Sequence, residues 1–402
     1  VATMQNTSLL LVEDNILDAR LITSRLQKIG YDALTHVGSL EEAVNWLKSA
    51  PRVDVIVLDL TLPDSMGLHT FQFLHQRFAH IPIVILSGRN DQELAIKAVS
   101  LGAQDYVFKS EASSCVLQRS ILYAIERRHR LEMEMNMIAM DRDLEYAREI
   151  QRHLLPQTLP EIAGVDMASA YIPANWTGGD FFDVIPISRQ AKNNHDLWQP
   201  AHLMSEEDKL NSIWGLTIAD VSSHGFAPSL IMVDTRRVLR TCSHILQDPG
   251  EILTFANRAV SEVTLEGQFV TLCYGRYDPL ERTLEYCSAG HPFWVINTEG
   301  IRSMPDYNGP ALGLLHDYQY GTDGKLQLQI GEILLVVTDG LYECRSDDGE
   351  LFGIERVCEV IHQHREKAGK EIVKQILKAI YRFSGSLRSE DDITILLIKM
   401  VE

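Results

Sequence analysis

Two groups of carboxylates in this 402-residue chain stand directly after short apolar runs. In the first, the run 8–12 ends in Glu13-Asp14, the run 53–58 in Asp59, the run 83–86 in Ser87 and the run 106–108 in Lys109. Three carboxylates, a hydroxyl and an amine at successive strand ends form a set that can handle a phosphoryl group. Glu13, Asp14 and Asp59 offer the hard oxygens suited to Mg²⁺, an ion that keeps several waters and also takes a substrate phosphate. Asp59 can then act as a carboxylate nucleophile and form an acyl phosphate. Lys109 is a mobile point charge able to neutralise the added phosphoryl oxygens, and Ser87 can hydrogen-bond one of them. Taken singly, an acidic residue after a strand often only caps the next helix, as Asp14 alone could. Agreement of all four ends favours chemistry.

The second group is spread over the C-terminal half. Gly178-Gly-Asp180-Phe-Phe-Asp183 places two carboxylates beside a flexible pair of glycines, and Asp220-Val-Ser-Ser-His-Gly225 follows the apolar run 213–219. Thr338-Asp-Gly340 follows the run 333–337, and Asp391-Asp392 precedes the run 393–400. Aspartates at strand ends, with glycine letting the backbone approach, can hold two oxygen-loving metals together. Such a pair acidifies a water and clamps a phosphoryl group for in-line attack. The residues alone leave plainer readings open: Asp339-Gly340 as a turn, Asp180 as a helix cap, Asp391-Asp392 as a surface pair. His224 and His291 read better as structural residues than as ligands of hard metals.

These residues need elements to position them. Between the first set of apolar runs, helical periodicity covers 16–29, 40–48, 68–78 and 92–100, and strands alternating with helices imply a doubly wound parallel sheet. Ligands of such sheets bind beyond the carboxyl ends of the strands, so the first group converges in one crevice. Residues 113–155 contain neither Gly nor Pro. Leu117, Ile121, Ala124, Leu131, Met135 and Ile138 trace a heptad seam there, with Arg128 at one seam position. The phase slips and resumes through Leu144, Ala147, Ile150 and Leu154. A continuous helix paired with a second copy of the chain is expected, the alternative being a helix that folds back on its own domains. Pro156 and Pro160 close it. Beyond, strand-like runs at 214–219, 270–277, 284–288, 293–296, 332–338 and 393–400 are interrupted by helical stretches at 227–246, 251–262 and 354–383, which implies an α+β domain of helix-covered sheets. The polar segment 188–211 reads as a loop insertion. The expected division is 1–125, a helical linker 126–156, and 157–402.

Composition narrows the function classes. Lys+Arg 37 against Asp+Glu 55 gives a net charge of −18, which argues against a nucleic-acid binder and against docking on an anionic membrane. No apolar run approaches the roughly 18 residues of a membrane span, and no secretory signal opens the chain. Six scattered cysteines without a C-x-x-C spacing indicate neither a zinc site nor a disulfide framework. A cytoplasmic protein is expected.

With Leu11-Val-Glu-Asp-Asn15, Asp59, Leu62-Pro-Asp64, Gly67, Ser87 and Gly102-Ala-Gln-Asp-Tyr106 leading to Lys109, the segment 8–125 resembles the receiver domain of bacterial response regulators. That resemblance implies that Asp59 accepts phosphate from a cognate histidine kinase, with Thr61 supplying a backbone carbonyl to the Mg²⁺ and Tyr106 following Ser87 inward as an aromatic switch. Ser110 replaces the proline that usually follows the lysine and supports a cis peptide.

Residues 145–402 resemble the bacterial PP2C-type serine/threonine phosphatase domain of the sporulation and stress kind. The motifs are Ala147-Arg-Glu-Ile-Gln-Arg-His-Leu-Leu-Pro156, the Asp180, Asp220, Asp339 and Asp391 segments, Ser288-Ala-Gly-His-Pro292 and Gly309-Pro-Ala-Leu-Gly313. The resemblance implies a β-sandwich flanked by helices. Asp220 would bridge two Mn²⁺ or Mg²⁺ ions, helped by the Val221 carbonyl, with Asp180, Asp339 and Asp391 completing the shells. Asp392 is an alternative to Asp391, which is preferred. Ser223 stands where the family usually has glycine.

Joined, the parts imply a response regulator whose output dephosphorylates phosphoserine or phosphothreonine on a partner protein, by resemblance an anti-sigma-factor antagonist. The rival is an adaptor that binds its partner without turning it over. Clustered, mutually repelling carboxylates speak against it, because a pure binder does not need them.

Overall fold

The computed structural model describes residues 7–49, 52–88, 92–189, 201, 204–223, 225–303, 309–385 and 390–402. The chain forms two compact units, 1–140 and 141–402.

The first unit runs β1 (Leu9–Val12), α1 (Ile16–Gln27), β2 (Leu34–Val37), α2 (Leu40–Ser49), β3 (Val55–Asp59), a small hairpin of β4 (Thr61–Leu62) and β5 (Ser65–Met66), α3 (Leu68–Arg77), β6 (Ile83–Ser87), α4 (Gln92–Ser100), β7 (Asp105–Phe108) and the start of α5 (Ser114–Leu154). The strands pair in parallel in the order β2-β1-β3-β6-β7. Strand order reverses between β1 and β3, and this switch point opens the crevice beyond Val12 and Asp59. Strands β1, β3 and β6 are buried on both faces, which is why they read as continuous apolar runs. Asp64 accepts the backbone N–H groups of Leu40 and Glu41 at 3.0 and 2.9 Å and so caps α2 from 24 residues away. Those two donors outweigh its slight burial and hold its carboxyl below the usual range.

The second unit contains the end of α5, then β8 (Val165–Ile172), β9 (Phe181–Ser188), α6 (Glu206–Asn211), β10 (Ser212–Val221), α7 (Phe226–Ile245), α8 (Pro249–Val263), β11 (Val270–Asp278), β12 (Thr283–Ala289), β13 (Phe293–Ile296), β14 (Ile301–Ser303), β15 (Gly324–Gln327), β16 (Ile333–Val337), α9 (Asp339–Tyr342), α10 (Gly353–His364), α11 (Gly369–Ser384) and β17 (Ile393–Met400). Two antiparallel sheets result, β15-β12-β11-β10-β9 and β14-β13-β16-β17-β8. Period-two alternation sorts their side chains into layers. Trp214, Leu216 and Ile218 face Leu334, Val336, Leu396 and Ile398 between the sheets. Ala219, Val221, Leu272 and Tyr274 turn outward onto α7 and α8, and Leu335, Val337, Ile395 and Leu397 onto α10 and α11. The fold is a β-sandwich flanked by helices.

Three expectations change. Leu117, Ile121 and Ala124 are not an intermolecular seam: they are buried in the first unit with Leu9, Leu11, Val55 and Val57, because an apolar face beside a sheet is covered by that sheet first. The stretch 354–383 is two helices, interrupted where Gly369 closely approaches Ala168 and Leu397. The insertion 188–211, most of which lies outside the described residues, ends in the short helix α6, capped by the Ser205 hydroxyl. Among the described residues no helix is long and apolar enough to cross a membrane.

Leu335 is fully buried between its sheet and α10/α11. Leu335→Ala is therefore expected to destabilise the second unit by about 2–5 kcal/mol, read from the unfolding transition of that unit. Ile96→Ala, at a largely exposed position on α4, is expected to change the first unit's transition by less than about 0.5 kcal/mol.

Candidate functional sites: two carboxylate clusters

The crevice of the first unit gathers the predicted residues. Ligand oxygens of Glu13, Asp14 and Asp59 lie within 4.8 Å of one another. Glu13 and Asp59 are buried and Asp14 is exposed. The α1 cap is Asn15, whose Oδ1 accepts the N–H groups of Leu17 and Asp18, so Asp14 is left to face the crevice. The Lys109 ammonium donates to Asp59 at 2.7 Å, Glu13 at 2.8 Å and Asp18 at 3.0 Å. Three carboxylates raise the Lys109 pKa despite its partial burial. Burial, reinforced by the Asp59 charge, pushes Glu13 up to about 7 even though Lys109 pulls the other way.

Thr61 donates its N–H to Asp59 at 3.1 Å. Ser87 is buried beside this set, its carbonyl accepting the Lys109 N–H at 2.9 Å. Tyr106 packs edge-on to Phe108 with its hydroxyl buried. With Ser110 after it, the Lys109 peptide is trans. Asp18, which the sequence reading did not single out, sits one helical turn beyond Asp14.

In the second unit Asp220 lies within electrostatic reach of Asp180, Asp339, Asp391 and Asp392, although no three of these carboxylates bring ligand oxygens within 4.8 Å of one another as the receiver set does. Asp180 is buried, and its Oδ2 accepts hydroxyls from Thr338 at 2.6 Å and Thr394 at 2.7 Å. It also shares a hydrogen bond with Asp220. Burial and the charges of Asp220 and Asp392 drive Asp180 well above the usual carboxylate range. Asp220 is pushed up to about 7 by burial and then by Asp339. Asp339 is raised by burial and by Asp391, and its Oδ1 is buried without a hydrogen-bond partner.

Asp391 and Asp392 differ sharply. Asp392 is buried and accepts N–H groups from Ala174 at 2.8 Å, Gly179 at 2.7 Å and Asp180 at 3.4 Å. Asp391 is half-buried and lines, with Asp339, Glu343 and Arg345, a cleft of about 370 Å³. Asp392 thus fixes the Gly178–Asp180 loop, while Asp391 faces the cleft with Asp339.

Gly179 lets this loop approach the Val221 carbonyl, which a Cβ would meet at 2.9 Å. Ser223 has φ +67°, the left-handed region where glycine is favoured, in the turn after Asp220. Asp183 is separate: fully buried, it pairs with Arg240 at 2.6 Å and Arg236 at 3.0 Å on α7. His291 bonds Thr271 at 2.9 Å, and burial pushes its pKa down to about 4, consistent with a neutral structural imidazole. His224 lies outside the described residues. Sequence reasoning missed Thr338 and Thr394, although each flanks a predicted aspartate at the same strand end.

A crowd of buried carboxylates with raised pKa values and an orphaned carboxylate oxygen fits hard divalent cations, whose charge would relieve the repulsion. The family model of the response regulator receiver domain matches residues 9–120, and that of Stage II sporulation protein E matches 212–401. Phosphoserine phosphatase RsbU of Bacillus subtilis is 23% identical over 261 residues, 64% of this chain and 70% of RsbU. Protein IcfG of Synechocystis is 25% identical over 420 residues, 97% of this chain and 58% of IcfG, so the chain spans little more than half of that relative. The SiaA-PP2C domain of Pseudomonas aeruginosa shares the fold, with a TM-score of 0.54 at 20% identity over 67% of this chain and 99% of that one. The chain is a response-regulator receiver domain fused to a PP2C-type serine/threonine phosphatase domain of the sporulation-phosphatase family.

A Cβ on Gly340 would overlap the Asp392 backbone carbonyl, whereas one on Gly321 meets nothing within 4 Å. Gly340→Ala is expected to lower the melting temperature of the phosphatase unit by several degrees, about 1–3 kcal/mol of overpacking, and to cut its activity at least tenfold. Gly321→Ala is expected to leave both unchanged.

Proposed function

We propose that this chain is a two-component response regulator whose phosphorylation at Asp59 controls hydrolysis of a phosphoserine or phosphothreonine on a partner protein. The observation that carries the output half is the buried, partnerless Asp339 Oδ1 beside Asp391 and Asp220, all among carboxylates that only cations would neutralise. In the receiver, Glu13, Asp14, Asp59 and the Thr61 carbonyl hold Mg²⁺. An Asp59 oxygen attacks the phosphorus of a kinase phosphohistidine; the O–P bond forms as the N–P bond breaks, and the imidazole regains a proton from solvent. Lys109 then turns from Glu13 and Asp18 toward the new phosphoryl oxygens, Ser87 donates its hydroxyl to one of them, and Tyr106 follows.

In the phosphatase domain, Asp220 with the Val221 carbonyl, Asp180, Asp339 and Asp391 hold two Mn²⁺ or Mg²⁺ ions, and Asp392 keeps the Asp180 loop in place. Bound there, the cations supply charge neutralisation at the phosphoryl group and a more acidic attacking water. The Thr338 and Thr394 hydroxyls aim Asp180 and favour its charged form against the burial that raises its pKa. Water adds to phosphorus as the serine P–O bond breaks, and the departing serine oxygen takes a proton, giving serine and inorganic phosphate.

The phosphoserine phosphatase RsbU supports phosphoserine chemistry, and an anti-sigma-factor antagonist is the substrate proposed on the family resemblance. Residues 126–156 serve as the linker of a cytoplasmic homodimer. Leu131, Met135, Ile138 and Ile150 support pairing, since they are exposed in the single chain.

Mn²⁺-dependent hydrolysis of an aryl phosphate and of a phosphoserine protein, with and without beryllofluoride on the receiver, tests the reading. Turnover should change with beryllofluoride and fall at least a hundredfold in Asp220→Ala and Asp339→Ala. Folded, metal-loaded protein that turns over neither substrate would overturn it. Met135→Glu with Ile138→Glu is expected to shift the sedimenting species from dimer to monomer.

A further inference from the structure

The Gln151 side chain of helix α5 hydrogen-bonds the phosphatase loop. From 141 to 150 its residues are exposed or half-buried, whereas Gln151 in the last turn is buried, 4% exposed. The Gln151 carboxamide uses both ends on a single peptide unit. Nε2 donates to the Gly178 carbonyl at 2.6 Å, and Oε1 accepts the Gly178 N–H at 3.1 Å. A side chain thereby imitates the two-bond exchange of an antiparallel strand pair. The Tyr171 hydroxyl donates to the same Oε1 at 3.4 Å.

Gly178 is followed by Gly179 and Asp180, whose N–H groups are held from the other side by the Asp392 carboxylate. The loop is clamped between α5 and the start of β17. Gly178 has no room for a side chain, since a Cβ would overlap the Asp392 carboxylate and the Tyr171 hydroxyl. Both Gln151 bonds are buried, so leaving either partner unmatched is costly. They share one short side chain, so a rotation or slide of the last turn breaks both together.

We infer that Gln151 is a positioning residue, which sets the Asp180 loop, and with it the metal affinity of the phosphatase, according to the placement of the last turn of α5. This rests on the reading of the domain as a metal-dependent phosphatase. It adds a defined two-bond contact through which the helix acts.

The test uses the full chain with Gln151→Met, which keeps length and removes both hydrogen bonds, and Gln151→Glu, which keeps the acceptor and loses the amide donor. Glu149→Ala on the exposed face of the same turn is the control. The substrate is an aryl phosphate titrated with Mn²⁺. Both Gln151 variants should raise the half-saturating Mn²⁺ concentration at least tenfold and lower kcat at least tenfold at subsaturating metal, with KM for the aryl phosphate within twofold. The response to beryllofluoride should shrink toward unity, while Glu149→Ala matches the wild type.

Melting curves show whether the variants fold. If Gln151→Met does not, Gln151→Glu and deuterium exchange of the 178–180 amides in the wild type decide, exchange being expected to quicken at least tenfold in the Glu variant. Folded variants with unchanged Mn²⁺ half-saturation, or unchanged loop exchange, would overturn the inference. A wild type that turns over but ignores beryllofluoride would overturn receiver control and leave the Gln151 inference to the metal titration. A wild type without turnover would overturn the phosphatase reading, and direct Mn²⁺ binding would then decide on Gln151.

Discussion

Repulsion among carboxylates held out of water is the constraint around which both domains are built. Burial alone raises a carboxylate pKa, and a neighbouring negative charge raises it further. The two domains manage this differently. In the receiver, a single ammonium, Lys109, lies within 3.0 Å of Glu13, Asp18 and Asp59. It sits on a flexible stem and can leave when a phosphoryl group brings new negative charge. In the phosphatase domain no lysine or arginine among the described residues is bonded to Asp180. Neutral donors do the work there, two threonine hydroxyls on Asp180 and three backbone N–H groups on Asp392. Neutral donors orient a carboxylate without cancelling its charge. The net negative charge survives for a cation to use.

That difference explains where the buried ion pair of the second unit lies. Asp183 is only three residues from Asp180, yet strand alternation sends it to the helix-covered side, where Arg236 and Arg240 neutralise it. Had the register slipped by one residue, Asp183 would have turned into the apolar space between the sheets, away from the two arginines on α7. The alternation that sorts the core into layers thus also separates a structural aspartate from the functional ones.

The same physics decides what could be read from the sequence. Strands β1, β3, β6, β10, β11, β12, β13, β16 and β17 are apolar runs because both of their faces are covered or because they lie centrally in a sheet. Strands β2, β4, β5, β8, β9, β14 and β15 went unread, and every one of them is a sheet edge, as is β7, whose run 106–108 was read. β2 and β8 are mostly half-buried, and β9 carries Pro186, which an edge tolerates and a central strand does not. The aspartates were legible because they follow the readable strands. Thr338, Thr394, Asp18 and Gln151 were not, since such a polar side chain becomes informative only when its partner, 27 to 214 residues away, is known. The apolar spacing of Leu117, Ile121 and Ala124 misled for a related reason. Periodicity shows that a helix face will be covered, and it is silent on whether a sheet of the same domain or another chain covers it.

Helix α5 brings these points together. Its first turns are core to the receiver through Leu117, Ile121 and Ala124. Its last turn is bonded to the Asp180 loop through Gln151. Between them, Met133, Met135, Met137, Ile138 and Met140 are exposed, and flexible thioethers adapt to changing neighbours better than branched side chains do. Each end is therefore fixed by its own domain's chemistry, whereas the middle is committed to neither. Melting either end of the helix would lose buried contacts, whereas the exposed middle has none to lose. On the proposed reading, a displacement of the last turn is felt at the two hydrogen bonds of Gln151.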